Sequence, residues 1–110
     1  MFGNSNQDRR SEFRRPANRR ALLVGEALDV PCRITDESKG GLKLTLDRGI
    51  EMPGRVIVVE VKEALAIDID IRWTRGREAG GRRISETSLR GLVPQRLAAA
   101  RDAWQRAGGH

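Results

Sequence analysis

Residues 65–73 read LAIDIDIRW, and this stretch decides the fold class. Every second residue is large and apolar, while Asp68, Asp70 and Arg72 fall on the alternate positions. Alternation with a period of two is typical of a β-strand that has one face in a core and the other in solvent. The stretch therefore predicts a half-buried strand, with Trp73 on its core face and the two aspartates on its solvated face.

Similar patterns on both sides of this stretch predict further strands. The candidates are residues 21–24, 30–35, 42–46, 55–61 and 82–86. Within 55–61 the better apolar face holds Ile57, Val59 and Val61, and Cys32 falls on an inward position of 30–35. Glycine-bearing turns separate the candidates, as at residues 39–41 and 53–54. Six short strands predict an all-β fold, and a closed antiparallel barrel is favoured because closure removes exposed sheet edges.

The C-terminus changes to a helical period. Pro94 suits a first helical position, and Gly108 follows the pattern as glycine does past a helix end. The apolar stripe consists of Leu97, Ala100, Trp104 and Ala107. We expect this stripe to pack on the barrel, with a dimer contact or a target protein as the alternatives.

Length, charge and composition limit how the chain can be organised. The 110 residues fit one domain, and the net charge of +6 predicts attraction to anions. Six arginines lie within the first 20 residues, and we expect a flexible basic arm over 1–13 and a helix with its tail over 94–110, with the predicted barrel between them. No signal peptide is visible, and the longest apolar runs fall short of the ~20 residues a membrane helix needs. We expect a cytoplasmic protein that is a monomer or weak homodimer without membrane insertion.

Several kinds of chemistry are missing from the sequence. The single histidine is His110 and the single cysteine is Cys32, so neither a catalytic triad nor a metal-ligand cluster can be assembled. Neither of the two best-known glycine-rich phosphate loops occurs. The sequence therefore predicts a protein that is not an enzyme and holds no cofactor.

Two short motifs remain as candidates for ligand binding. Arg15 and Arg19 form R-x-x-x-R, and residues 36–41 form D-x-S-x-x-G in the turn between two predicted strands. Taken alone, each is typical of a solvated charge run or of ordinary turn geometry. Taken together, arginine forks match phosphate oxygens and guanine edges, and a flat ligand could approach the backbone at Gly40 and Gly41. The pair therefore indicates a ligand with guanines and phosphates.

The two motifs, in this order and about 20 residues apart, resemble the signature of PilZ domains. The resemblance extends over residues 14–93 and includes the strand that ends at Arg72 and Trp73. It implies a six-stranded PilZ-type barrel with one C-terminal helix, and cyclic di-GMP as ligand. It also implies that Arg15 and Arg19 contact phosphates and guanine, with help from the flanking Arg14 and Arg20. Asp36, Ser38 and Gly41 would then bind the guanine edge, beside Gly40.

This resemblance predicts an effector of bacterial second-messenger signalling. Ligand would order the arginine arm over the barrel and alter contacts with a downstream protein partner. One alternative is a PilZ-like protein scaffold that binds no nucleotide. Another is a small nucleic-acid-binding barrel. Two tryptophans, two phenylalanines and no tyrosine disfavour the latter, because such barrels stack bases on several exposed aromatic rings. We therefore expect no nucleic-acid partner.

Overall fold

Six antiparallel strands close into a barrel in the computed structural model, which describes residues 14–109. The strands are β1 (Arg15–Gly25), β2 (Leu28–Ser38), β3 (Gly41–Leu46), β4 (Arg55–Glu60), β5 (Leu65–Arg75) and β6 (Glu78–Ser88). Their order around the barrel is β1-β2-β3-β6-β5-β4, and β1 pairs with β4 to close it. The predicted all-β barrel is confirmed. Strands β1 and β6 are longer than the predicted segments at 21–24 and 82–86, because polar residues extend them beyond the apolar stretch.

The barrel interior holds the alternating apolar residues of all six strands. The largest fully buried side chains in this core include Leu23, Ile34, Leu44, Ile67 and Ile69. Cys32 belongs to the same core, as predicted, and burial raises the pKa of its thiol to about 12. Its inward side chain is therefore an inert packing group.

A second apolar cluster lies outside the barrel, beneath the C-terminal helix. A 3-10 turn at Gln95–Leu97 leads into helix α1 (Ala98–Arg106), so Pro94 precedes a 3-10 turn instead of an α-helix. Leu97, Ala100 and Trp104 are buried against Leu22 and Val59 of the outer barrel face. The Trp104 indole Nε1 also donates to the Val61 carbonyl at 2.9 Å. The predicted packing of the helix stripe on the barrel is confirmed.

This covered outer face corrects two of the predictions made from alternation. In β4, we predicted that Ile57, Val59 and Val61 form the better apolar face, but the barrel interior is lined by the other face, through Val56 and Val58. Val59 instead packs beneath the helix, so both faces of β4 are apolar for separate reasons. In β5, Asp68 is only 6% exposed, which contradicts its predicted solvated position. The segment that begins at the 3-10 turn covers it.

A third correction concerns the end of β5. Trp73 is 40% exposed and does not lie in the core. The β5–β6 register shifts between Ile71 and Trp73, and such a bulge re-aims the following side chains. The bulge therefore turns Trp73 out of the barrel, close to the turn that joins β2 and β3.

Candidate functional site

A polar cleft of about 280 Å³ opens where the β2–β3 turn meets β5 and β6. The residues that line it include basic side chains, two acidic residues, one tryptophan and several glycines. The lining residues are Arg14, Asp36, Glu37, Ser38, Gly40, Gly41, Leu42, Lys43, Arg72, Trp73, Gly81 and Arg82. We call this surface the polar cleft.

The D-x-S-x-x-G motif forms one wall of the polar cleft. Asp36 and Ser38 end strand β2, a two-residue turn follows, and Gly41 begins β3. The register of β2 against β3 shifts between Ile34 and Asp36, so the alternation is interrupted just before the motif. Arg14 reaches the same wall, with its Nη1 atom 3.5 Å from Asp36 Oδ2. The structure therefore brings together five predicted site residues: Arg14, Asp36, Ser38, Gly40 and Gly41.

The two motif arginines lie in strand β1, beside this wall. Arg15 is opposite Glu37 in the β1–β2 register, and a register shift separates Pro16 from Arg19. Arg19 donates from both Nη atoms to the Glu37 carboxylate, at 2.7 and 3.0 Å. Its Nε lies 2.8 Å from Glu60 Oε2. Arg15 and Arg19 thus reach the polar cleft through Glu37.

Glu37 carries the electrostatic coupling between the two motifs. Hydrogen bonds from Arg19 hold the pKa of its carboxyl below the usual range, and the charges of Arg15 and Arg83 act in the same direction. The same hydrogen bonds raise the pKa of Arg19. The pair is therefore ionised throughout the physiological range.

Comparison with protein families shows that residues 8–94 match the model of the PilZ domain. This match spans most of the chain and includes both motifs. The chain belongs to the PilZ domain family. Comparison with curated proteins and with solved structures finds no significant match. PilZ domains are a known cyclic di-GMP-binding family, and they act as binding and effector domains.

Three predicted site residues do not line the polar cleft. Arg15 and Arg19 lie beside its wall and contact Glu37, whereas this PilZ domain places Arg20 elsewhere. It lines a separate surface depression together with Arg33 and Arg77. Arg19 and Arg20 are adjacent in strand β1, and adjacent strand residues point to opposite faces. Arg20 therefore does not line the polar cleft.

Trp73, Arg72 and Arg82 line the cleft of the PilZ domain without having been predicted as site residues. The indole of Trp73 lies over Gly80, where an added Cβ would come within 2.3 Å of the ring nitrogen. The sequence signal was the glycine pair at 80–81 in the neighbouring strand, because close approach of a bulky side chain requires a missing Cβ. The alternating pattern predicted a core position for Trp73, because a pattern of period two does not reveal a β-bulge.

The chemistry available in the cleft is that of anion and purine recognition. Guanidinium groups present planar donors for phosphate, Asp36 accepts hydrogen bonds, and the exposed indole offers a face for stacking. Among residues 14–109, no group of acidic, histidine or cysteine side chains could hold a metal ion. Within the same range, no helix is long and apolar enough to cross a membrane.

Proposed function

We propose that this PilZ domain binds cyclic di-GMP in the polar cleft and acts in the cytoplasm as a non-enzymatic effector. One observation carries the proposal. The fold gathers Arg14, Asp36, Ser38 and the Gly40–Gly41 turn around a single cleft that also contains the exposed Trp73. Cations for phosphate, acceptors for a guanine edge and a ring for stacking are the groups that this ligand requires.

Each group has a role that follows from its position. Asp36 and Ser38 would bond the guanine edge at the end of β2, where both residues line the polar cleft. Arg14 and Arg15, both 72% exposed at their side chains, would reach the phosphates from the start of β1. Arg19 would join them from beneath Glu37. Trp73 would support the base from the opposite wall.

The proposed signal passes through the N-terminus and a protein partner. Strand β1 is already paired with β2 from Arg15 onward. We expected ligand to order the arm around Arg15 and Arg19, and this part of the prediction is wrong because both residues already lie in β1. Ordering by ligand would therefore concern residues 1–13, which lie outside the residues that the structure describes. Because the ligand would sit against Arg14 at the start of β1, ordering of this arm would change the surface that a partner meets.

Calorimetric titration with cyclic di-GMP tests the proposal, and separate titrations with GTP and cyclic di-AMP serve as controls for selectivity. We expect selective binding to the native chain. Arg15→Ala, Arg19→Ala and Asp36→Ala should each weaken it about tenfold or more, because each removes a charged hydrogen-bonding group. Arg48→Ala is the matched control, since Arg48 is exposed and does not line the cleft.

Two results would contradict this proposal. Absence of heat together with absence of chemical-shift changes at high ligand would rule out cyclic di-GMP binding and favour the protein-scaffold alternative. Equal weakening by Arg48→Ala, Arg15→Ala and Arg19→Ala would show that only general charge attraction is at work. In that case the binding should also fade steeply as salt is raised.

A further inference from the structure

Three arginines converge on the carboxylate of Glu37, the residue between Asp36 and Ser38 in the D-x-S-x-x-G motif. Arg19 donates to both of its oxygens in a parallel pair at 2.7 and 3.0 Å. Arg15 Nη2 and Arg83 Nη2 each lie 3.8 Å from it. An anion surrounded by guanidinium groups is the arrangement that proteins use to bind phosphate. In this chain, a carboxylate of the protein itself occupies that place.

The guanidinium of Arg19 has no edge left for a second anion. Its Nη1 and Nη2 atoms donate to Glu37, and its Nε forms an ion pair with Glu60 Oε2 at 2.8 Å, although the angle there does not make a hydrogen bond. Bidentate binding of a phosphate needs two adjacent donors on one edge. A phosphate that binds Arg19 in a bidentate manner must therefore displace one of the two carboxylates.

Burial decides which carboxylate can leave. The Glu60 side chain is 6% exposed, so removing its arginine would leave a buried charge without a partner. The Glu37 side chain is 17% exposed and lines the cleft, and both Arg15 and Arg83 remain within reach of it. Glu37 can therefore leave Arg19 at much lower cost than Glu60.

We propose that Glu37 is a built-in competitor of the ligand phosphate, whereas Glu60 is a positioning residue that holds Arg19 in place. Ligand binding exchanges the Glu37 carboxylate for a phosphate on the Nη edge of Arg19. Glu60 stays on the Nε edge and keeps the Nη edge of the guanidinium facing the position that Glu37 now occupies. This inference rests on the proposed binding of cyclic di-GMP, and it assigns opposite effects on affinity to two carboxylates that contact the same arginine.

The test is titration of cyclic di-GMP into Glu37→Gln and Glu60→Gln variants of the full chain. Glu37→Gln keeps the shape but removes the competing charge, so affinity should rise about fivefold, the scale of a partly exposed ion pair. Glu60→Gln should lower affinity by a similar factor. Glu26→Gln is the control, because it removes the same charge from the exposed β1–β2 turn. It should leave affinity unchanged.

A double-mutant cycle shows whether both effects act through Arg19. In an Arg19→Ala background, the gain from Glu37→Gln and the loss from Glu60→Gln should largely disappear. A purely structural role of Glu60 would persist in that background and would also appear as reduced stability to urea. Glu37→Ala supplies a second variant, with the same expected direction as Glu37→Gln.

The outcomes separate this inference from the proposed function. Unchanged or weaker binding by Glu37→Gln, with binding by the native chain intact, would overturn the competitor role and leave the receptor function standing. Tight binding of cyclic di-GMP by Glu37→Gln, together with weak binding by the native chain, would support the competitor role of Glu37. Absence of binding by the native chain and all variants would reject the proposed function and this inference with it.

Discussion

At the scale of single residues, the cleft depends on positions that tolerate no Cβ atom. A Cβ on Gly81 would lie 2.4 Å from Ile69 Cγ2 and 2.6 Å from the Asp70 carbonyl oxygen. A Cβ on Gly41 would lie 2.8 Å from the Gly81 carbonyl oxygen. Both sets of contacts include backbone, which cannot move without disturbing strand pairing. These glycines let strands β3, β5 and β6 approach one another behind the site.

Gly81→Ala is therefore expected to destabilise the barrel. The added methyl group overpacks a closed contact, which typically costs about 1–3 kcal/mol. Urea unfolding followed by circular dichroism measures the loss. Gly49→Ala is the matched control, since a Cβ there meets nothing within 4 Å, and its stability should be unchanged or slightly raised. Equal effects of the two substitutions would contradict this account of Gly81.

The sequence predicted some residues of the polar cleft and missed others. The motif pattern predicted that Arg14, Asp36, Ser38 and Gly41 belong together, and the structure gathers them in one cleft. It did not predict Glu37, because the motif spacing treats that position as variable. The partners of Glu37 come from strands β1 and β6, and pairing across the barrel cannot be derived from spacing along the chain.

At the scale of elements, an ion pair fastens the 3-10 turn to strand β5. Arg96 donates to both oxygens of Asp68, at 3.0 and 2.9 Å, and Ser85 of β6 donates to the same carboxylate at 2.8 Å. The alternation of β5 predicted a solvated aspartate, and the observed burial comes from this distant segment. When a distant segment of the chain covers the outer face of a strand, the alternating sequence of that strand does not show it.

Acid should weaken this attachment. Hydrogen bonds from Arg96 lower the pKa of Asp68 below its ordinary value of 3.8, so the folded chain takes up the proton less readily than the unfolded chain. The stability it contributes is fully present above pH ~4 and is lost as pH falls through the folded pKa. Asp68→Asn should cost about 1–2 kcal/mol at pH 7 and progressively less under acid conditions.

Urea unfolding of the native chain and Asp68→Asn across this pH range measures the difference. The native chain alone is insufficient, because the lowered pKa of Glu37 gives a loss of stability in the same direction. The difference between the two proteins isolates Asp68. A difference that stays constant from pH 7 to pH 3 would show that the carboxylate charge is not what fastens the turn.

At the scale of the whole molecule, two apolar clusters share the same strands. In β4, Val58 points into the barrel while Val59 packs under the helix, and β1 divides Leu23 and Leu22 in the same way. The sequence predicted the barrel and the helix from separate periodicities. It could not predict which strands the helix covers, because that choice depends on which outer faces are apolar after closure.

Because strands β1 and β4 contribute to both apolar clusters, we expect the helix and the barrel to unfold together. Trp104 is 3% exposed, and its indole donates to the carbonyl of Val61, just after β4. Release of the helix would expose the apolar outer face of β1 and β4, so a barrel without its docked helix should be poorly populated. In a Trp73→Phe variant, Trp104 is the only tryptophan, and its fluorescence reports docking of the helix.

Urea unfolding of this variant should give coincident transitions by Trp104 fluorescence and by strand circular dichroism. Coincidence would mean that docking of the helix and closure of the barrel form one cooperative unit. A fluorescence change at lower urea would instead show that the helix detaches while the barrel stays closed. The outer face of β1 and β4 would then be exposed in a folded barrel, because the contacts of Leu22 and Val59 beneath the helix would be lost first.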